Sequence, residues 1–213
     1  MPFIDISRPL RTGSPHWPGD YSTELAATAR MADGASCNVG RLALSLHNGT
    51  HVDAPFHYDP NGVTIEAVDP ARLIGPARVI DARGCATLGR DLLERSGALD
   101  SPAAPRILFR TDAWRDPEVF PASWPLLEPG VAAWLASRGV TLVGLDVPSV
   151  DALESKHLPI HAELNRAGIL ILESLDLRGV EAGDYELIAA PLRIMGGDAS
   201  PVRALLRRPE RRS

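Results

Sequence analysis

His47-Asn48-Gly49-Thr50-His51-Val52-Asp53-Ala54-Pro55-Phe56-His57 packs three of the chain's six histidines and an aspartate into one short window. Imidazole nitrogens with a carboxylate oxygen form the ligand set that zinc accepts in sites where one position stays open for water. The gap of four between His47 and His51 would put both rings on one helix face, as in an H-E-x-x-H site. The backbone chemistry argues otherwise. Asn48-Gly49 is a turn dipeptide, Thr50 and Val52 are β-branched, and Pro55 disfavours helical geometry at Ala54, so the segment reads as extended or looped. Residues two apart in an extended chain share a face. His47, His51, Asp53 and His57 all stand at odd positions, which lets a bent strand aim several of them into one pocket. A carboxylate there can also bridge two cations about 3.5–4 Å apart.

Further ligands must come from elsewhere in the chain. His157 and His161 form a second cluster, and Glu173 closes the apolar run Ile169 to Leu172. A bare carboxylate is costly to bury beside such a run unless it is paired or metal-bound. The competing reading makes Glu173 a strand end facing water. His16 and His157 read as local hydrogen-bonding residues. Trp17, flanked by Pro15-His16 and Pro18-Gly19, reads as a loop aromatic that either walls a ligand or packs on the core.

Working outward, Pro (19) and Gly (18) are spread through the chain and favour many short elements. Candidate strands of a buried sheet are Val79-Ile80, 106–110, 140–146, 168–173 and 185–189. The alternating stretch 38–46 suits a half-exposed strand leading into the histidine segment. Helices are expected over 89–99, 127–138 (Pro129 near the start, Gly139 just past the end) and 161–166, as coverings on the sheet. The fold class expected from periodicity is mixed α/β. At about 150 residues per domain, 213 residues predict one domain over 1–213. No internal repeat is visible, and the charged tail 207–213 reads as a solvated end.

Composition excludes several classes of function. Hydrophobic residues make up 45% and charged residues 23%, a globular mix. Lys plus Arg (22) against Asp plus Glu (27) gives a net charge of −5, so there is no basic field for nucleic acid or an anionic membrane. No apolar window reaches the about 18 residues of a membrane span. The N-terminus acquires an acid at Asp5 and has no apolar leader, so a cytoplasmic location is expected. Cys37 and Cys85 lack C-x-x-C spacing and read as reduced thiols. The absence of G-x-S-x-G argues against a Ser-His-Asp hydrolase.

The window from His47 to His57 resembles the H-x-G-T-H-x-D-x-P-x-H signature of the metal-dependent cyclase-type hydrolases, among them the bacterial kynurenine formamidases. Trp17-Pro18-Gly19-Asp20, 143–149, 182–187 and 198–204 are similar to the same pattern, so the resemblance spans nearly the whole chain. Asn48 and Cys37 depart from it, and neither is an expected ligand. The resemblance implies a swivelling β/β/α fold with a central mixed sheet, commonly a homodimer, and a centre of two zinc ions per subunit, with manganese as the alternative. Carried over residue by residue, it implies that His47, His51 and Asp53 bind the first ion. Asp53 then bridges to the second, His161 binds the second, and Glu173 contacts both. His57 becomes the proton-transfer residue, or else a third histidine ligand, and Trp17 an aromatic wall. The activity implied is hydrolysis of the formamide of N-formyl-L-kynurenine to L-kynurenine and formate, a step of tryptophan catabolism. The alternative is a sibling acting on another amide, lactam or cyclic imide of the isatin type.

Overall fold

The computed structural model describes residues 2–97, 99 and 104–209. In chain order the elements are β1 (Ile4–Asp5), β2 (Glu24–Ala29), β3 (Val39–Ala43), β4 (His51–Asp53), β5 (Ile74–Asp81), β6 (Thr87–Leu88), α1 (Arg90–Arg95), β7 (Arg106–Arg110) and β8 (Leu126–Leu127). Then come α2 (Val131–Ala136), β9 (Leu142–Leu145), α3 (Pro159–Arg166), β10 (Leu170–Glu173), β11 (Gly183–Ile188), β12 (Ala199–Pro201) and β13 (Leu205–Arg207).

Nine strands form one sheet in the order β1-β13-β11-β5-β7-β9-β10-β4-β12. Its middle, β5-β7-β9-β10, is parallel, and the flanking strands are antiparallel. The parallel strands are apolar on both sides because both sides are covered. Ile107, Phe109, Val143, Leu145 and Ile171 face a core built with Leu93, Val131, Leu135 and Leu164 of the three helices. The alternate residues Leu108, Leu142, Leu170 and Leu172 face a second core with Val52, Leu187 and Leu206. The period of two along each strand thus sorts the side chains into two layers. At Gly144 a Cβ would come within 2.3 Å of Leu108 Cδ2, so β9 passes its neighbours only as glycine.

The mixed α/β class is as expected, and several boundaries differ. The helix expected over 127–138 begins only at Val131, because Leu126–Leu127 pairs with β6 and Gly130 turns the chain at φ +85°. That expected over 89–99 covers Arg90–Arg95 and ends before Gly97 at φ +61°; its residue 98 lies outside the described residues. The stretch 38–46 is not half-exposed. Val39–Ala43 pairs only with β2, in a hairpin whose Leu25 and Leu42 are 57% and 50% exposed. Of the expected solvated tail, residues 210–213 lie outside the described residues. Cys37 and Cys85 are free thiols. No helix among the described residues is long and apolar enough to cross a membrane.

Candidate metal centre

The histidine window runs from a turn into β4 and on into a single 3-10 turn, Pro55–His57. Gly49 sits at φ +70°, and a Cβ there would meet Leu10 Cδ2 at 2.7 Å, so the turn between His47 and His51 requires glycine. Its neighbours fasten it. Asn48 Nδ2 donates to the Tyr21 carbonyl (2.8 Å) and to Thr23 Oγ1 (3.1 Å). Thr50 Oγ1 donates to the Ser174 carbonyl at 2.6 Å and accepts the Arg8 amide at 2.9 Å. Within β4, His51 and Asp53 share a face, and Glu173 on β10 stands opposite His51 in the antiparallel register. Glu173 is therefore buried, not a strand end facing water.

The third element is α3. Its N-terminus is capped by Asp151, whose Oδ1 accepts the Ile160 amide while Oδ2 accepts the His161 amide, both at 3.1 Å. The same Oδ2 accepts Nδ1–H of the His161 ring at 2.7 Å, which leaves Nε2 as the nitrogen turned inward. His51 is held alike, its Nδ1–H donating to the Gly49 carbonyl at 2.9 Å. His47 donates Nε2–H to Asp198 Oδ2 at 3.0 Å, which frees its Nδ1. Each of the three rings thus has one nitrogen fixed by an acceptor and the other presented inward, as the tautomers of metal-binding histidines are fixed.

The inward nitrogens converge on two carboxylates. Asp53 Oδ1 lies 3.2 Å from His47 Nδ1 and 3.4 Å from His51 Nε2; its Oδ2 lies 3.6 Å from His161 Nε2. Glu173 places Oε2 3.5 Å from His51 Nε2 and Oε1 3.6 Å from His161 Nε2. Both carboxylates therefore turn one oxygen toward His51 and the other toward His161. Asp53 Oδ1, Asp53 Oδ2 and His51 Nε2 are buried and find no hydrogen-bond partner. Two ligand atoms about 2.0–2.2 Å from a tetrahedral ion stand roughly 3.4 Å from each other, so the gaps have the width a cation needs. His51, Asp53 and Glu173 can hold one ion together, as can His47, Asp53 and His57.

Electrostatics point the same way. Burial would push the His51 and His161 pKa values down, but facing carboxylates outweigh it: Asp53 and Glu173 at His51, and Asp151, Asp53 and Glu173 at His161. Both rings are held up at about 10. His47, opposed by burial and supported by Asp198 and Asp53, is held at about 9. Burial would raise the Asp53 carboxyl, yet the facing imidazoles of His161, His47 and His51 hold it well below the usual range. A fully buried pair of carboxylates needs compensating positive charge, and without a cation the protonated rings supply it.

His57 is half-buried, with its ring 4.1 Å from that of His47 and its Nδ1 3.5 Å from Asp198 Oδ2. Burial pushes its pKa down. Trp17 lines the cavity above the centre and also packs edge-on to Phe120 (5.7 Å) and Trp124 (6.1 Å), so it is at once wall and part of the core margin. The cavity holds about 320 Å³, and Trp114 and Phe120 complete its aromatic side. His16 lines it too and donates Nδ1–H to the Ser14 carbonyl at 3.0 Å, as a local hydrogen-bonding residue. His157 is exposed and hydrogen-bonds to none of the described residues, contrary to the expectation for it.

Two acids that sequence reasoning passed over shape the site: Asp151 and Asp198. Neither lies in a histidine-rich window, and each reaches its ring through the tertiary fold. The signal nearest to Asp151 was its place shortly before the His157–His161 cluster.

Comparison with known proteins fits this geometry. The family model described as "Putative cyclase" matches residues 4–152. The chain belongs to this cyclase family. It is 45% identical over 207 residues to a kynurenine formamidase of Geobacillus thermodenitrificans, covering 97% of this chain and 98% of that one. A kynurenine formamidase of Bacillus cereus is 42% identical over 205 residues, covering 96% and 97%. Among solved structures, a potential metal-dependent hydrolase with cyclase activity superposes with a TM-score of 0.81 at 28% identity, covering 98% of this chain and 99% of that one. An isatin hydrolase bound to the product analogue thioisatinate gives 0.82 at 26% identity, covering 96% and 91%.

Proposed function

We propose that the chain is a metal-dependent arylformamidase that hydrolyses N-formyl-L-kynurenine to L-kynurenine and formate. Its 45% identity to a kynurenine formamidase over nearly both full lengths supports the substrate. The single observation that carries the chemistry is the set of orphaned inward atoms on Asp53 and His51, with His161 Nε2 and Glu173 completing the ring around them.

His47, His51 and Asp53 would hold one cation, and His161 with Asp53 and Glu173 a second, with zinc suited to the nitrogen and oxygen donors. Such ions supply Lewis acidity, which lowers the pKa of water toward about 7 and draws charge from a carbonyl oxygen. The side chains do the rest. Trp17, Trp114 and Phe120 hold the aryl ring in the cavity and exclude water from the face of the formamide. His57, kept neutral by burial, takes a proton at Nε2 as water adds to the formyl carbon. It returns that proton to the anilide nitrogen as the C–N bond breaks, so the amine leaves neutral and formate remains. Asp151 and Asp198 fix the tautomers of His161 and His47 throughout.

The chain works as one domain, consistent with β1 pairing with β13 across the sequence. It acts in the cytoplasm as a homodimer, for which the exposed apolar hairpin of β2 and β3 offers surface.

The test follows kynurenine formation by the zinc-loaded protein, with isatin as the rival substrate, since an isatin hydrolase shares the fold. Turnover of N-formylkynurenine that is abolished by chelation and restored by zinc is expected. Preferential opening of isatin would shift the reading to a cyclic amide, and full activity after exhaustive chelation would falsify it.

A further inference from the structure

The lining of the cavity is graded. Its floor, His51, His161 and Glu173, is buried; its walls, Trp17 and Phe120, are partly buried; and Asp20 and Lys156 line it while exposed to solvent. Lys156 is the one lysine among 213 residues that otherwise use arginine for fixed positive charge. It is also the one Lys or Arg that lines this cavity among the described residues. The arginines of nearby segments are engaged: Arg8 stacks at 3.7 Å on Trp114, and Arg11 pairs with Glu118. Lys156 forms no hydrogen bond or ion pair with any described residue, so its ammonium is available to a ligand. Asp20 uses Oδ1 to accept the Tyr21 amide at 2.7 Å and keeps Oδ2 free.

The loop that carries Lys156 is held in place at both ends. Before it, the Asp151 amide donates to Ser149 Oγ and the Ser155 amide to the Ala152 carbonyl. After it, Leu158 takes a left-handed φ of +44°, which swings the chain into α3. Strain of this kind persists where surrounding contacts fix the backbone, and here the Asp151 cap fixes it.

This inference rests on the arylformamidase reading. With the formamide at the floor and the aryl ring between the aromatic walls, the remaining part of N-formylkynurenine is a short keto chain ending in an α-ammonium and an α-carboxylate. It must emerge at the exposed end of the cavity. We propose that Lys156 binds the α-carboxylate and Asp20 the α-ammonium of the substrate, so that the cavity's outer end selects aryl formamides bearing an α-amino acid. Neither residue touches the reacting atoms. Both charges are present in ground state and transition state alike, so their loss raises KM more than it lowers kcat.

The experiment uses the zinc-loaded full chain and three substrates: N-formyl-L-kynurenine, its analogue without the amine, 4-(2-formamidophenyl)-4-oxobutanoate, and 2-formamidoacetophenone, which lacks both charges. Lys156→Met should raise KM roughly three- to tenfold for the two carboxylates, the range of partly exposed charge pairs, and should shrink their advantage over 2-formamidoacetophenone. Lys156→Arg should restore most of it. Asp20→Asn should weaken N-formyl-L-kynurenine selectively and leave the preference for the amine-free carboxylate over 2-formamidoacetophenone in place. A merely structural role would lower all three substrates together. If the parent protein cleaves the formamides but Lys156→Met leaves the ratios between them as they were, the proposal is overturned while the formamidase reading stands. If the parent protein cleaves none of them, both fall.

Discussion

Two buried aspartates lie close to the ends of strands that flank β10, and they have opposite surroundings. Asp146 follows β9, and its carboxylate is saturated: Oδ2 accepts the Thr111 and Asp112 amides at 2.9 and 2.8 Å, and Oδ1 accepts Thr111 Oγ1 at 2.5 Å. Asp53 on β4 is 0% exposed, and neither oxygen has a hydrogen bond, though three imidazoles crowd it at 3.2–3.6 Å. Both carry the desolvation cost of burial. At Asp146 donors from Thr111 and Asp112, just past the end of β7, offset that cost, and the acid is a structural tie. At Asp53 the offset is left to whatever charge occupies the centre of the ring, so the acid is built for a ligand.

The sharpest way to break this contrast is Asp53→Asn. It removes the charge both ion positions share, and activity should fall by far more than a hundredfold with loss of bound zinc, read by turnover and elemental analysis. Asp151→Ala comes next. It frees the His161 tautomer without touching either ion position, and should cost about 10–100-fold in metal affinity or activity, read by zinc titration. Asp146→Ala should behave in the reverse sense. With three donors unpaired, two of them buried, the protein should lose about 3 kcal/mol in chemical denaturation, while zinc content per folded chain stays unchanged. Retention of zinc by Asp53→Asn, or its loss from Asp146→Ala, would erase the distinction between the two acids.

The smallest effect is in pH. In the metal-free protein His47, His51 and His161 are held at about 9, 10 and 10, above the ordinary 6.5. A histidine raised on folding contributes stability that is complete below the unfolded value and is lost as pH rises through the folded one. The metal-free melting temperature should therefore fall between pH 6.5 and about 10. The zinc-loaded protein, whose rings are already deprotonated, should show a flatter profile over that range, and zinc should bind more tightly as pH rises. At Asp146 burial pushes the carboxyl up from its ordinary value, against the hydrogen bonds from Thr111 and Asp112.

The legible parts of the molecule were those encoded locally. Arg106–Arg110, Leu142–Leu145 and Leu170–Glu173 form strands because their apolar runs fit a sheet covered on both faces. The turn at Asn48-Gly49 and the extended geometry before Pro55 likewise follow from adjacent residues. The hairpin differs from its expectation for a physical reason: alternation at 38–46 marks a strand but does not say whether anything covers its apolar side. α2 is shorter than its pattern because Leu127, which fits a helix by periodicity, is taken by β6.

By itself the sequence determined the ligand types, the turn and strand that carry His51 and Asp53, and the family, because each depends on residues close together in the chain. Only the tertiary structure decided that Glu173 faces His51 across two strands, that Asp151 and Asp198 orient the rings, and that Lys156 and Asp20 open onto one cavity. Those pairings depend on sheet register and on where a loop returns, which are set by burying two whole cores at once and leave no trace in any single window.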